Sequence, residues 1–459
     1  MQIKNPATLA IIEEVATDDA ASIARKYERA RKAQPAWAST PLERRLGVLR
    51  AFRDAVAKER DTLALTLTRE MGKPVVQAKN ELNALSGRLD FFLENTAKVL
   101  HPEVVLEERD GTTAKLVESI VFEPLGVIAN VSAWNYPWFV GSNVFVPALL
   151  TGNTVLYKPS EHATLTGLAI ERLLHQSGVP SDAFIAVTGA GNVGAELLAQ
   201  PVNGVFFTGS YRTGKKIAEQ VAARFVRVGL ELGGKDPTYV CEDVDVRKAA
   251  ESLADGAMYN TGQSCCSVER IYVHRNIAPQ FLKEFVDVVK SFTIGDPEDE
   301  KTYIGPLARE EQLAELELQV KDAVEKGARL LIGGKRIARN GFYFEPTVLT
   351  DVSDEMRVMR EESFGPIIGI GTVDSDEEAI RRMNDTEYGL TAGVYSRDER
   401  RAEAILRELD AGSVYWNCCD RVSPRLPWTG RKHSGVGSTL STHGIRSFVQ
   451  PKAWHRRAP

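Results

Sequence analysis

The chain has 459 residues, 43% of them apolar and 26% charged, with a formal net charge of -5. That length exceeds one ordinary compact core and implies about two or three domains. The mild acidity and scattered basic residues exclude an electrostatic case for a nucleic-acid or anionic-membrane partner.

Residues 1–14 mix charges among apolar positions, so they do not read as a secretory signal. The first hundred residues read as helices. Asp18 or Asp19 can cap one, and Pro41 stands in the first turn of another whose Leu46, Leu49, Phe52 and Val56 follow helical spacing. A further helix is predicted from Glu81 towards Leu100. The pattern then changes: Val104-Val105-Leu106, the turn Asp110-Gly111 and a run at 116–121 form a predicted strand hairpin. The longest apolar stretch, around 119–134, is broken by Glu123-Pro124 and falls short of a membrane span.

Short β-rich runs at 126–131, 154–157, 184–187, 204–207 and 226–230 alternate with helical segments. Such alternation indicates a parallel sheet covered on both faces. It restarts after Cys265, with runs at 270–274, 328–332, 366–370 and 393–395, and so implies a second α/β domain.

Five cysteines occur: Cys241, the vicinal pair Cys265 and Cys266, and the vicinal pair Cys418 and Cys419. There is no Cys-x-x-Cys and no spaced Cys/His set, so no metal site is expected. The odd count makes a poor disulfide framework, and a reducing cytoplasmic compartment is the simplest inference. The cysteine in Asn260-Thr261-Gly262-Gln263-Ser264-Cys265 follows Glu231-Leu232-Gly233-Gly234-Lys235. A thiol and a separate carboxylate suit covalent catalysis with a base.

Other segments offer parts of a nucleotide site. Gly189-Ala190-Gly191-Asn192-Val193-Gly194 matches the dinucleotide fingerprint but lacks the acid expected about 20 residues later. Thr208-Gly209-Ser210-Tyr211-Arg212-Thr213-Gly214-Lys215 follows a strand and opens a helix, a better phosphate candidate or an ordinary helix cap. Lys158 and Glu161 could grip ribose hydroxyls or form a solvated pair. Asn135, between Trp134 and Tyr136, carries a neutral donor suited to an oxyanion, or sits in an aromatic turn. Glu361-Glu362-Ser363-Phe364 places acids beside an aromatic at a strand entrance.

These segments, in this order, resemble the NAD(P)-dependent aldehyde dehydrogenases. So do Gly305-Pro306-Leu307, the run 341–347, Asn384-Asp385-Thr386-Glu387-Tyr388-Gly389-Leu390 and Gly430-Arg431-Lys432-His433-Ser434-Gly435. The resemblance implies an α/β fold with two Rossmann-like parallel-sheet domains and a small β oligomerisation element. Residues 1–103 and 124–232 would bind dinucleotide, 233–437 would form the catalytic domain, and 104–123 with 438–459 the oligomerisation element. A C-terminal strand near Ile445-Arg446-Ser447-Phe448-Val449 would join the hairpin, giving a homodimer or homotetramer.

By the same resemblance Cys265 attacks the aldehyde, Asn135 and the Cys265 backbone N–H hold the oxyanion, and Glu231 activates the hydrolytic water. Trp134, Lys158, Glu161, Gly209, Ser210, Gly214, Glu362 and Phe364 fall at cofactor positions. Glu161 favours NAD over NADP, because a carboxylate accepts from a free 2′-hydroxyl and repels a 2′-phosphate. Cys266 is the less suited thiol, since the reactive position lies five after Asn260. The chain departs from the family at Cys419-Asp420-Arg421-Val422-Ser423-Pro424-Arg425, where Arg421 or Arg425 could bind the carboxylate of a semialdehyde, with Tyr136 a second substrate residue. Two alternatives remain: transfer of the acyl group to coenzyme A, which Glu231 disfavours, and a non-catalytic binding role, which the intact trio of Asn135, Glu231 and Cys265 disfavours.

Overall fold

The structure is a computed structural model describing residues 1–458. Its first sheet runs, edge to edge, Phe184–Ala186, Thr154–Lys158, Val127–Val131, Gly204–Thr208, Arg227–Glu231 and Gly435–Val436. The first five strands are parallel, and the last pairs antiparallel. From Val127–Val131 the chain builds to one side, then returns to place Gly204–Thr208 on the other. Such a reversal opens a crevice outside the carboxyl ends of the strands, where α/β sheets bind ligands.

The second sheet has the order Arg329–Ile332, Thr347–Thr350, Ile367–Val373, Arg270–His274, Pro237–Val240, Thr391–Tyr395 and Ser413–Trp416. Only its edge strand Arg329–Ile332 is antiparallel. A small antiparallel sheet joins Glu103–Asp110, Thr113–Pro124 and Val449–Arg457. Gly111, at φ +60°, turns the predicted hairpin.

Three sequence readings shift. Residues 1–14, read with the helical region, include the paired strands Gln2–Lys4 and Ile11–Glu14. Ile3 is buried between exposed Gln2 and Lys4, a period-two pattern too short to stand out. The helix expected from Glu81 begins earlier, as Val75–Leu100. Buried polar residues at Gln77 and Glu81 interrupt its apolar stripe and disguise the start. The C-terminal strand begins at Val449; Ile445 belongs to the helix Ser441–Arg446, and Phe448 follows it. Both side chains are fully buried, with the Phe448 ring 4.4 Å from that of Phe206. No helix among the described residues is long and apolar enough to cross a membrane.

One buried ion pair links this helical layer to the crevice. Lys73, just before the helix Val75–Leu100, pairs with Glu81 on it, and neither side chain is exposed. Glu81 Oε1 also accepts the backbone N–H groups of Trp138 at 3.0 Å and Phe139 at 3.4 Å. These open the helix Pro137–Leu150, which has no side-chain cap of its own. A carboxylate there satisfies orphan donors and suits the positive end of the helix dipole. It thereby fixes the turn carrying Asn135.

Removing one partner strands a buried charge, a loss of about 3–5 kcal/mol, whereas removing both is far cheaper. Glu81→Ala is therefore expected to lower the melting temperature more than the double variant Lys73→Met/Glu81→Leu, measured by calorimetry. Equal melting temperatures in the two variants would show that the stranded Lys73 charge carries no cost.

Candidate active site

At the crevice, a cavity of about 420 Å³ is lined by Trp134, Asn135, Lys158, Glu161, Gly209, Ser210, Glu231, Cys265, Glu362 and Phe364 among others. Ten residues singled out from separate sequence segments thus share one space. Cys265 follows a tight turn in which Asn260 and Thr261 adopt φ of +53° and +57°. Gly262, at φ +70°, leaves no room for a side chain, since a Cβ would lie 2.2 Å from the Gly365 carbonyl. Strained backbone of this kind persists only where its surroundings over-determine it.

Those surroundings are a hydrogen-bond network. Asn260 Nδ2 donates to the carbonyls of Asn135 and Gln263 at 3.3 and 3.0 Å. Asn135 Nδ2 donates to the Gln263 carbonyl at 3.2 Å. Asn135 is 3% exposed, so its amide is held against the thiol-bearing segment while lining the cavity.

Glu231 ends the strand Arg227–Glu231. Burial pushes its carboxyl up to about 7, against hydrogen bonds from Thr439 and Thr208 and the charge of Arg88, which act to lower it. Thr439 Oγ1 bonds Oε1, and Thr208 Oγ1 donates to Oε2 at 3.3 Å. Thr439 arrives from more than two hundred residues away in the chain, and no local signal marks it.

Glu362 and Phe364 are held by a second buried pair. Lys235 Nζ donates to Glu269 Oε2 at 2.6 Å and to Ser363 Oγ at 3.0 Å. Glu269 in turn accepts the backbone N–H groups of Ser363 and Phe364 at 3.0 and 3.1 Å. Phe364, at φ +48°, turns its ring edge-on to Trp134 with centroids 5.4 Å apart. Burial, then the charge of Glu269, raises the Glu362 carboxyl to about 8. Lys235 was legible within its glycine-rich motif, but Glu269 was not.

The other end of the cavity fits a dinucleotide. Lys158 is buried, donates to the Pro159 carbonyl at 3.1 Å, and stands 4.0 Å from Glu161. Its ammonium is pulled below the usual lysine range by burial. Ser210 caps the helix Tyr211–Val221, whose N-terminus faces the cavity. Gly191 and Gly194, from the alternative fingerprint, also line it. Arg309, which sequence reasoning missed, lines the wall with its buried Nε unpartnered.

Three expected residues lie elsewhere. Gly214 does not line the cavity; it packs on Leu232, where a Cβ would meet a methyl at 2.4 Å. Tyr136 lies outside the cavity lining and stacks on Phe139. Arg421 is exposed, with only its carbonyl engaged, by Tyr415 Oη at 2.5 Å. The preceding residue, Asp420, points inward instead: its Oδ1 accepts from Ser264 Oγ at 3.2 Å and Cys266 Sγ at 3.0 Å. All five thiols are free, and no cluster of potential metal ligands occurs among the described residues.

The chain is similar to known proteins over nearly its whole length. The chain is 34% identical to a succinate-semialdehyde dehydrogenase [NADP(+)] of Deinococcus radiodurans, covering 98% of this chain and 93% of the relative. It is also 34% identical to aminoaldehyde dehydrogenase 2, peroxisomal, of Malus domestica, over 98% of this chain and 91% of that one. It superposes on lactaldehyde dehydrogenase from Escherichia coli with TM-score 0.95 at 32% identity, covering 100% of this chain and 96% of the other. Residues 1–454 match the aldehyde dehydrogenase family, and the chain belongs to that family.

Proposed function

We propose that this enzyme oxidises an aldehyde to its carboxylic acid through a thioester on Cys265, with NAD as the preferred cofactor. The observation that carries the reading is the convergence of Cys265, Asn135 and Glu231 on one cavity. The Cys265 thiolate adds to the aldehyde carbonyl, forming a thiohemiacetal. The Asn135 amide and the Cys265 backbone N–H donate to the oxyanion, a preorganised arrangement requiring little movement. When bound, the nicotinamide ring accepts the hydride lost from the aldehyde carbon. Glu231 then takes a proton from water, and the hydroxide so formed attacks the thioester and releases the acid. A water-activating carboxylate in this place supports hydrolysis over transfer to coenzyme A.

Lys158 and Glu161 would hold the adenosine ribose, with Gly209 and Ser210 near the pyrophosphate and Glu362 and Phe364 at the nicotinamide ribose and ring. Gly214 keeps the supporting helix close to Leu232. Glu161 is the basis for NAD, although the Deinococcus relative is named for NADP(+). The outer strands Glu103–Asp110 and Val449–Arg457 are exposed, which supports strand addition between subunits in a homodimer or homotetramer. A reducing cytoplasmic setting would keep Cys265 a thiol.

Cys265→Ala is expected to abolish reduction of NAD across a panel of aldehydes, while Cys266→Ala retains turnover; loss only in the second variant would reassign the nucleophile. Glu231 must be ionised to act as base, and its carboxyl is raised to about 7. Activity should therefore rise with pH through about 7 and fall below it as the carboxyl is protonated. Glu231→Gln should release one burst of NADH and then stall with the thioester in place, visible by mass spectrometry. A pH-independent rate, or continued turnover in that variant, would remove Glu231 from the mechanism. For the cofactor, Glu161→Ser is expected to narrow the ratio of kcat/KM for NAD over NADP on the order of 10-fold, and an unchanged ratio would remove Glu161 as its determinant.

A further inference from the structure

Arg88 lies on the helix Val75–Leu100 and is 4% exposed. Its guanidinium carbon stands 4.1 Å from the centre of the Phe139 ring. Phe139 is stacked on Tyr136 with centroids 6.0 Å apart and planes 5° from parallel. Lys73 Nζ in turn sits 3.7 Å from the Tyr136 ring centre. Each of the two stacked rings therefore carries a cation close to it. The cations are not equivalent. Lys73 has Glu81 as its counter-ion, whereas Arg88 has no carboxylate within ion-pair reach among the described residues.

Only Nη1 of Arg88 finds a protein acceptor, Asn143 Oδ1 at 2.6 Å. Its Nε and Nη2 have no protein acceptor. Arg270 shows the contrast: equally buried, it donates to the carbonyls of Lys235, Arg382 and Met383 and to the Tyr272 hydroxyl. Burying a guanidinium without an anion is costly. An arginine left half-paired in such a place is arranged for an acceptor that arrives from outside, and its planar fork matches a carboxylate.

The position points to the substrate. Trp134 and Asn135 line the cofactor cavity, but Tyr136 and Phe139 do not. They follow Asn135 directly in the chain, at the start of the helix Pro137–Leu150. Arg88 is near enough for its charge to act on both Glu231 and Cys266. The competing acids are accounted for: Glu81 is held by Lys73, Glu231 is bonded by Thr439 and Thr208, and Asp420 accepts from Ser264 and Cys266.

We propose that Arg88 receives the terminal carboxylate of an aldehyde substrate, so that the enzyme prefers semialdehydes, and that this role belongs to Arg88 and not to Arg421. The proposal rests on the aldehyde-oxidising reading above. The reaction would then yield a dicarboxylate.

The test compares the four-carbon aldehyde bearing a terminal carboxylate with butanal, at saturating cofactor. The wild type should favour the carboxylated aldehyde. In Arg88→Met the ratio of the two kcat/KM values should fall on the order of 100-fold, the scale of a lost charge-assisted pair. Arg88→Lys should recover part of it, and Arg421→Ala should leave it unchanged. The four-carbon dicarboxylate, added without cofactor, should raise the melting temperature of the wild type and not of Arg88→Met. Parallel loss on both aldehydes, or a lowered melting temperature with an unchanged ratio, would assign Arg88 to packing and overturn the proposal. A wild type that prefers butanal would also overturn it. No turnover with any aldehyde would instead overturn the oxidation reading itself.

Discussion

The site depends on the buried pair between Lys235 and Glu269. Lys235 follows the strand that ends in Glu231, and Glu269 immediately precedes the strand Arg270–His274 of the second sheet. Between them they engage the Ser363 hydroxyl and the backbone of Ser363 and Phe364. One ion pair therefore ties the segment after the Glu231 strand, the second sheet and the loop carrying Glu362 together. Its charges are out of water, so the pair is valuable less for net stability than for geometry: either charge alone would be intolerable, and only this arrangement satisfies both. The left-handed turn before Cys265 is then pinned from its other side by Gly262 packing on the Gly365 carbonyl.

The Lys73–Glu81 pair does comparable work on the opposite side of the thiol. It spends a carboxylate on the first N–H groups of the helix that follows Asn135. The turn carrying Asn135 is thus positioned by a contact from a helix more than fifty residues upstream. Both pairs use a lysine and a glutamate with no remaining exposure to speak of. Both act on backbone donors near the cavity.

Much of this was legible in the sequence because it is local. The turn from Asn260 to Cys265, the Glu231 strand end and the Asn135 turn each carry their chemistry within a few residues. The two parallel sheets followed from apolar runs of strand length. What stayed hidden comes from elsewhere in the chain. Thr439, Glu269, Glu81 and Arg88 sit in ordinary helical or loop contexts, and only tertiary packing brings them to the site. Arg421 shows a converse limit. The loop reaches the thiols through Asp420, at φ +48°, which turns inward, while Arg421 beside it is exposed. Sequence adjacency fixes a loop's whereabouts and not the direction of its side chains.

The two vicinal thiols differ through their surroundings. Cys265 and Cys266 are chemically identical, and either could in principle attack a carbonyl. Cys265 borders the cavity. Cys266 is turned into the core, where it donates to Asp420. The Cys265 thiol beside it, burial and that carboxylate together hold the Cys266 thiol well above its usual range. A thiol that cannot ionise is a poor nucleophile. Asp420 itself is raised to about 6 by burial, so near neutral pH it remains largely an acceptor for Cys266. The loop carrying Asp420 therefore helps keep Cys266 protonated and leaves Cys265 as the thiol that borders the cavity.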